Sequence, residues 1–141
     1  MNLNHIDIPT TDVSAARSFF EKHFGFRRIF ARDDGLTVLL DEDNFALTLS
    51  PLSDSEKLHY PSGVHIGFNV DSEHELYELH GRLAAATVPI IRHPADIGGA
   101  LIFQCHAGPN LGRSCPSSPR LTFSYQKSPW RDLHLLLGYG P

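Results

Sequence analysis

The order of predicted elements repeats once along the chain, and this repeat limits the possible folds more than any local motif does. Residues 3–8 alternate as a strand does, and a helical pattern and three further strand-like runs follow them. After a linker at 51–62, the same order begins again. His5 and His65 occupy matching positions in the first strand of each half, 60 residues apart. We therefore predict an α+β fold of two tandem βαβββ modules.

The first module, assigned to residues 1–50, has distinct helix and strand signals. Asp12 is a typical N-cap and Gly25 a typical stop for its helix. The apolar face of this helix carries Ala16, Phe19, Phe20 and Phe24. The three strands after the helix are predicted at 26–32, 36–41 and 44–50.

The second module, assigned to residues 63–115, repeats this arrangement. Ser72 and Glu75 have the spacing of a capping box at the start of a helix. Gly98 and Gly99 are typical of a hairpin turn. Leucines at helical spacing follow the capping box, namely Leu76, Leu79 and Leu83. The strands are predicted at 63–70, 89–93, 100–106 and, from a weaker pattern, 111–115.

Length and charge restrict the class of protein. A chain of 141 residues has the size of one globular domain, and its formal net charge of −4, without a dense basic cluster, argues against nucleic-acid binding. There is no basic leader and no apolar stretch of ~20 residues, so we expect a cytoplasmic protein without a membrane span. Cys105 and Cys115 lack metal-type spacing, and we expect reduced thiols, with Cys105 packed in a strand.

Apolar residues alternate with polar or small ones along the first strand of each module, so the two faces of that strand differ. Each helix must bury its apolar stripe against its own sheet, so the faces with His5 and His65 should point away from the helices. If the sheets curve towards one another, these faces line a shared pocket for a small molecule; on an open antiparallel sheet they face water. The predicted lining is His5, Asp7, Thr37, Leu39, Ala46, Thr48, His65, Gly67, Asn69 and Gln104.

Four segments together resemble the vicinal oxygen chelate superfamily of glyoxalases, bleomycin-resistance proteins, fosfomycin-resistance enzymes and extradiol dioxygenases. They are HIDIP, DVSAARSFFEKHFGF, GVHIGFNV and ALIFQCHAGPN. The resemblance covers residues 1–115. It implies paired βαβββ modules that form a curved, cup-like mixed sheet around a central pocket, usually in a homodimer, with a small oxygen-rich molecule as ligand.

The resemblance also implies a divalent metal, which could be Zn, Mn, Fe or Ni. His5 and His65 match the two first-strand ligand positions. The acidic ligand expected on the last strand of the first module falls on Thr48 or Ala46, and its counterpart in the second module falls on Arg113. Two neutral imidazoles fall short of the three protein ligands that a catalytic site normally has. An arginine about 5 Å from the ion would oppose binding by roughly 6–7 kcal/mol at an effective dielectric of 20.

Three interpretations follow from the absence of the expected acidic ligands. In the first, His106, Asp7 or a partner chain completes a metal site, and the protein is a glyoxalase- or dioxygenase-like lyase or oxidoreductase that uses Lewis-acid chemistry. In the second, the pocket is metal-free and binds a ligand, as bleomycin-resistance proteins do, and Arg113 pairs with an anionic group. In the third, both histidines are hydrogen-bonded wall residues. The candidate substrate-binding residues are Thr48, Asn69, Gln104 and Arg113; no general base is assigned.

The end of the chain, 116–141, departs from the superfamily pattern. From residue 97 onwards Asp132 is the only acidic residue, although the whole chain has sixteen. Either a reading-frame change replaced the original ending, or this tail is a native extension whose apolar residues, such as Trp130, dock on the body or on a partner.

The remaining histidines show no metal-type spacing. His59, His74, His80, His93 and His134 lack a shared HxxxH motif, and we predict that they lie on a solvated surface.

Overall fold

The computed structural model describes residues 3–52, 60, 63–107 and 119–126. In this part of the chain strand, helix and three strands occur twice, as the repeat predicted. Neither helix of the described residues is long and apolar enough to cross a membrane. The elements are β1 (His5–Thr10), α1 (Val13–Phe24), β2 (Arg27–Ala31), β3 (Thr37–Leu40), β4 (Ala46–Pro51), β5 (His65–Asn69), α2 (Glu73–Ala85), β6 (Ile90–Ile97), β7 (Ala100–His106) and β8 (Arg120–Gln126).

Two four-stranded mixed sheets share one topology. The strand order is β1-β4-β3-β2 in the first sheet and β5-β8-β7-β6 in the second. In each sheet the first strand of the module runs parallel to the last, and the other pairs are antiparallel. The chain divides into two compact units, one built on each sheet with its own helix. This confirms the predicted α+β fold of two βαβββ modules.

The last strand of the second sheet lies further along the chain than the sequence indicated. We predicted it at 111–115, which lies outside the described residues, and assigned 116–141 to a tail. The structure instead has β8 at Arg120–Gln126, paired in parallel with β5. Its alternating burial, with Leu121 and Phe123 buried, is that of a strand covered on one face. The tail therefore contributes a strand to the second sheet, while Trp130 lies outside the described residues.

Local sequence signals set both ends of α1. The Asp12 carboxylate accepts a hydrogen bond of 2.8 Å from the Ala15 backbone N–H, as an N-cap does. Gly25 ends the helix with a φ of 70°. This left-handed conformation is higher in free energy for residues that have a Cβ than for glycine. Between these ends Phe19 and Phe20 are buried, and their rings meet edge to face. These rings and the buried residues of the first sheet form the core of the first unit.

In the second unit, α2 buries leucine side chains against a sheet face that carries phenylalanine rings. Ser72 accepts a hydrogen bond from the Glu75 N–H, and the Glu75 carboxylate accepts one from the Asp71 N–H. The predicted cap is therefore confirmed, with its return bond shifted by one residue. In the sheet, the Phe123 ring stacks between Phe68 and Phe103 on neighbouring strands. The helix covers this face with Leu76, Leu79 and Leu83, all of which are buried.

Gly98 and Gly99 form the predicted two-residue hairpin between β6 and β7. Both have positive φ, 63° and 86°, as a type I′ turn requires. The Gly99 N–H donates to the Asp96 carboxylate at 3.1 Å.

Two residues of the predicted pocket lining lie on the opposite face of the first sheet. Thr37 pairs with Leu49, and Leu39 with Leu47, so both belong to the buried face against α1. The prediction placed β3 one residue out of register, and a shift of one residue exchanges the faces of a strand. Val38 and Leu40 therefore lie on the face that carries His5.

Cys105 is fully buried in β7 and is a free cysteine, as predicted. Burial raises the pKa of its thiol to about 12. Since the thiolate is the reactive form, Cys105 should be chemically inert in the folded protein. Cys115 lies outside the described residues.

Replacing Leu121 tests whether β8 belongs to the fold. Its side chain is fully buried, so Leu121→Ala should lower the free energy of unfolding by about 2–5 kcal/mol through lost burial and a cavity. Leu3→Ala is the matched control, because Leu3 is 82% exposed, and should leave stability almost unchanged. Urea denaturation followed by circular dichroism measures both. Equal stability of the two variants would mean that the segment after 118 does not pack in the core.

Alkylation of Cys105 tests the burial of β7. Iodoacetamide at pH 8 should leave Cys105 unmodified in the native protein and should modify it rapidly in 6 M guanidinium, because unfolding restores the ordinary thiol pKa. Peptide mass mapping locates the label at each cysteine separately. Modification of native Cys105 at the unfolded rate would contradict the burial.

Candidate functional site

His5 and His65 are structurally equivalent residues, each the first residue of the first strand of its unit. The Nδ1 atom of His5 lies 2.8 Å from the Asn4 Oδ1, and the Nδ1 atom of His65 lies 3.1 Å from the Gly63 backbone oxygen. Both acceptors are oxygens, so Nδ1 of each ring carries the donated proton. The lone pair of each neutral imidazole is therefore on Nε2. Both residues are exposed.

This hydrogen bonding gives both rings the tautomer of a metal ligand. A histidine that binds a metal through one ring nitrogen commonly donates the N–H of the other to a carboxylate, carbonyl or water. The donor bond fixes the ring orientation and increases the basicity of the ligating nitrogen. Asn4 supplies this bond from a side chain and Gly63 from the backbone, and each lies within two residues of its histidine. Each histidine by itself therefore fits the role of a ligand.

The face of the first sheet that carries His5 is polar near β1 and β4. Asp7 follows His5 on the same face and is in register with Thr48. The Asp7 carboxylate accepts a hydrogen bond of 2.8 Å from the Ser50 hydroxyl. His5 itself is in register with Ala46. Thr48, a predicted substrate-binding residue, therefore lies beside the carboxylate and not beside the imidazole.

The face of the second sheet that carries His65 is lined by amides and hydroxyls. Gln104 Nε2 donates to the Thr122 hydroxyl at 3.1 Å, and the Ser124 hydroxyl donates to Asn69 Oδ1 at 2.9 Å. The predicted residues His65, Asn69 and Gln104 thus share one face of the second sheet.

Arg120 is the residue beside His65 on the neighbouring strand. The two are in register in the parallel pair of β5 and β8, where His5 has Ala46 as its equivalent partner. His106 is in register with Arg120 from the other side, so the arginine lies between the two histidines. Arg113, which the sequence predicted at the acidic-ligand position of the second module, lies outside the described residues. Arg120 therefore holds the position that Ala46 has in the first sheet, and Thr122 holds that of Thr48.

A second arginine lies along the same face. Arg92 of β6 is in register with Gln104, and His93, the next residue, contacts α2 on the opposite face. Among the described residues neither Arg92 nor Arg120 forms an ion pair. A guanidinium presents several N–H donors in one plane and suits carboxylate or phosphate-like groups. This face can therefore attract an anionic group.

Sequence reasoning missed several residues around these positions. Arg120, Thr122 and Ser124 lie in the segment assigned to the tail, so their pairing with β5 could not be read from the pattern. Tyr60, which the sequence assigned to the linker, donates its hydroxyl to the Pro9 backbone oxygen at 2.7 Å. Burial, and secondarily the charge of Asp7, raise the pKa of Tyr60 to about 12. A phenol this weakly acidic acts as a hydrogen-bond donor at neutral pH.

Within 3–52, 60, 63–107 and 119–126, no three His, Cys, Asp or Glu side chains are grouped so as to hold a metal ion. The two predicted histidine ligands are both described, each on its own unit. Their joint role in one site, and the central pocket between the modules, stay predictions.

Comparison with known proteins decides the family. A family model described as the Glyoxalase/Bleomycin resistance protein/Dioxygenase superfamily matches residues 2–106. The chain belongs to this superfamily. The matched segment includes both histidines and ends at the last residue of β7, before β8. No curated protein matches the sequence.

Solved structures of this superfamily share the fold. A possible glyoxalase from Bacillus cereus is 25% identical, with a TM-score of 0.68 over 87% of this chain and 97% of that one. The fosfomycin resistance protein FosX from Listeria monocytogenes is 17% identical, with a TM-score of 0.68 over 89% and 93%. A glyoxylase/bleomycin resistance protein/dioxygenase domain from Frankia sp. EAN1pec reaches a TM-score of 0.73 at 13% identity, over 90% and 98%. The last two establish likeness of fold alone.

Proposed function

We propose that this protein binds a small oxygen-rich molecule with the help of a divalent metal held by His5 and His65. The observation that carries the proposal is the matched hydrogen bonding of the two rings. Each Nδ1 is held by an adjacent oxygen, so each Nε2 has the lone pair that a ligand needs. Two histidines that had no common role would have little reason to share strand position and tautomer.

The proposal requires a third protein ligand. The described residues do not group three such side chains, and Asp7 is the candidate because it shares a strand face with His5. It lies two residues from His5 on the same strand face, about 6–7 Å along the strand. Its bond from Ser50 orients the carboxylate and leaves lone pairs for a cation. His106 is less suitable because Arg120 lies in register between it and His65. A carboxylate would also neutralise part of the charge of the ion.

The remaining polar residues of the two open faces would bind and orient the substrate. Thr48 lies beside Asp7, while Asn69 and Gln104 lie on the face with His65. Arg113, which lies outside the described part of the chain, remains a proposed substrate-binding residue. A bound divalent ion would supply Lewis-acid polarisation of the substrate oxygens. If the protein is an enzyme, this is the chemistry of a glyoxalase- or dioxygenase-like lyase or oxidoreductase.

A metal-free binding protein is the second candidate, and Arg120 is the observation that favours it. Its guanidinium, in register with His65, would repel a divalent ion and attract an anionic ligand. One superfamily relative, FosX from Listeria monocytogenes as an E126Q mutant, was crystallised with Mn(II) and 1S,2S-dihydroxypropylphosphonic acid. Both an ion and an anionic molecule are thus compatible with the fold.

We include homodimerisation and a cytoplasmic location in the proposal, since the superfamily resemblance implies the first and the sequence favours the second. Light scattering after size-exclusion chromatography measures the oligomeric state directly.

Metal retention separates the two candidates. Protein equilibrated with Mn²⁺ and desalted should contain one ion per chain by plasma mass spectrometry, and His65→Ala and Asp7→Asn should each abolish retention. His74→Ala is the matched control because His74 is exposed on α2 and belongs to neither first strand. The second candidate would be favoured by a different result. The wild-type protein would retain no Mn²⁺ but would bind an anionic ligand such as fosfomycin, and Arg120→Gln would abolish that binding.

Asn4 tests the tautomer argument directly. Asn4→Ala removes the oxygen that holds the His5 Nδ1 and should weaken Mn²⁺ binding about 10–100-fold, as loss of a ligand's supporting hydrogen bond does. Asn4→Asp keeps an acceptor oxygen at the same position and should bind at least as tightly as the wild type. Isothermal titration calorimetry gives the three dissociation constants. Equal affinity of Asn4→Ala and wild type would show that this hydrogen bond does not prepare His5 as a ligand.

A further inference from the structure

His80 and His93 form a second pair of histidines, well separated in the sequence. His80 lies on α2 and His93 on β6, and the Nε2 atom of His80 is 3.0 Å from the Nδ1 atom of His93. Their ring centroids are 5.2 Å apart, with the ring planes at 70°. The prediction that these residues are separate members of a solvated surface is therefore incomplete, because the fold brings them into contact.

Packing positions the His80 ring, and the contact with His80 positions the His93 ring. His80 follows Leu79 on α2, whose side chain is buried against the sheet. The His80 ring also contacts the edge of the buried Phe103 ring, with centroids 5.4 Å apart. His93 is exposed on β6, in the stretch between Arg92 and Ala95 where the pairing with β7 shifts register. His80 therefore loses little freedom when a ligand binds, and His93 supplies a second nitrogen already in contact with it.

The two facing nitrogens are a hydrogen-bond length apart, so each ring must turn before both lone pairs can point at one ion, and the spacing then sets the angle at that ion. With metal–nitrogen bonds of about 2.0–2.1 Å, a separation of 3.0 Å subtends about 94° at the metal. A tetrahedral ion would instead need nitrogens about 3.3 Å apart at the same bond length. An angle near 90° is that of adjacent ligands around a tetragonal or square-planar ion, the geometry that Cu²⁺ and Ni²⁺ prefer with nitrogen donors.

We propose that His80 and His93 form a binding site for a tetragonal transition-metal ion, Cu²⁺ above all, that links α2 to β6. In the neutral pair one ring donates its N–H to the facing nitrogen of the other. On metal binding that proton moves to the distal nitrogen of its own ring, and both facing nitrogens become ligands. The neutral pair therefore releases no proton, and water completes the coordination. This site is independent of the function proposed for His5 and His65.

Two imidazole ligands support moderate affinity. We expect a dissociation constant for Cu²⁺ of about 1–100 μM, intermediate between a complete structural site and a single surface histidine. Ni²⁺ should bind more weakly than Cu²⁺, and Mn²⁺ should hardly bind, as the general order of affinities for nitrogen sites requires.

The test uses full-length protein that carries His5→Ala and His65→Ala, so that the other candidate site cannot contribute. Calorimetric titration with CuCl₂ in a weakly coordinating buffer should give one ion per chain. His93→Gln in this background should weaken binding at least tenfold, and His80→Gln should do the same. His74→Gln is the matched control, because His74 lies on the same helix and pairs with Glu78 instead.

Electron paramagnetic resonance of the Cu²⁺ complex adds a structural readout. Nitrogen hyperfine structure from two imidazoles should reduce to one in His93→Gln. The background protein should also gain thermal stability on adding Cu²⁺, since the ion joins two elements of the fold, and His93→Gln should lose that gain. Unchanged affinity and an unchanged spectrum in His93→Gln would overturn the proposal and assign any bound copper to other residues, including His59 and His134 outside the described part of the chain.

Discussion

Each unit depends on burying the apolar face of one helix against one face of a four-stranded sheet. The phenylalanines of α1 and the leucines of α2 can leave water only by covering the sheet of their own unit. Because successive side chains of a strand point to opposite faces, this packing divides every strand into a covered set and an open set. The open set is then available for polar residues, and both first-strand histidines belong to it.

The open faces of the two sheets differ in charge, although the topology of the sheets is the same. Beside His5 the fold has Ala46 and then a carboxylate, Asp7, whereas beside His65 it has Arg120. The first face can therefore help to hold a cation, and the second can hold an anion.

The histidines of this chain show how much chemistry depends on contacts within a few residues. His5 and His65 receive their tautomer from Asn4 and Gly63, which are adjacent or nearly adjacent in the sequence. These neighbours are evident in the sequence, but whether their oxygens reach Nδ1 depends on side-chain and backbone torsions. The contact between His80 and His93 is still harder to predict from the sequence, because the two residues lie on different elements.

By itself the sequence determined the βαβββ repeat, the N-caps of both helices, the Gly25 end of α1 and the glycine hairpin, because each of these depends on local periodicity or on residues close together in the chain. Its resemblance to known proteins indicated the family. The sequence also placed Thr48, Asn69 and Gln104 on the faces that carry the histidines. Only the tertiary structure decided the register of β3, the use of the tail as β8 and the contact between His80 and His93. Strand register and contacts between elements are set by which apolar side chains pack together across the fold, and a one-dimensional pattern does not contain that information.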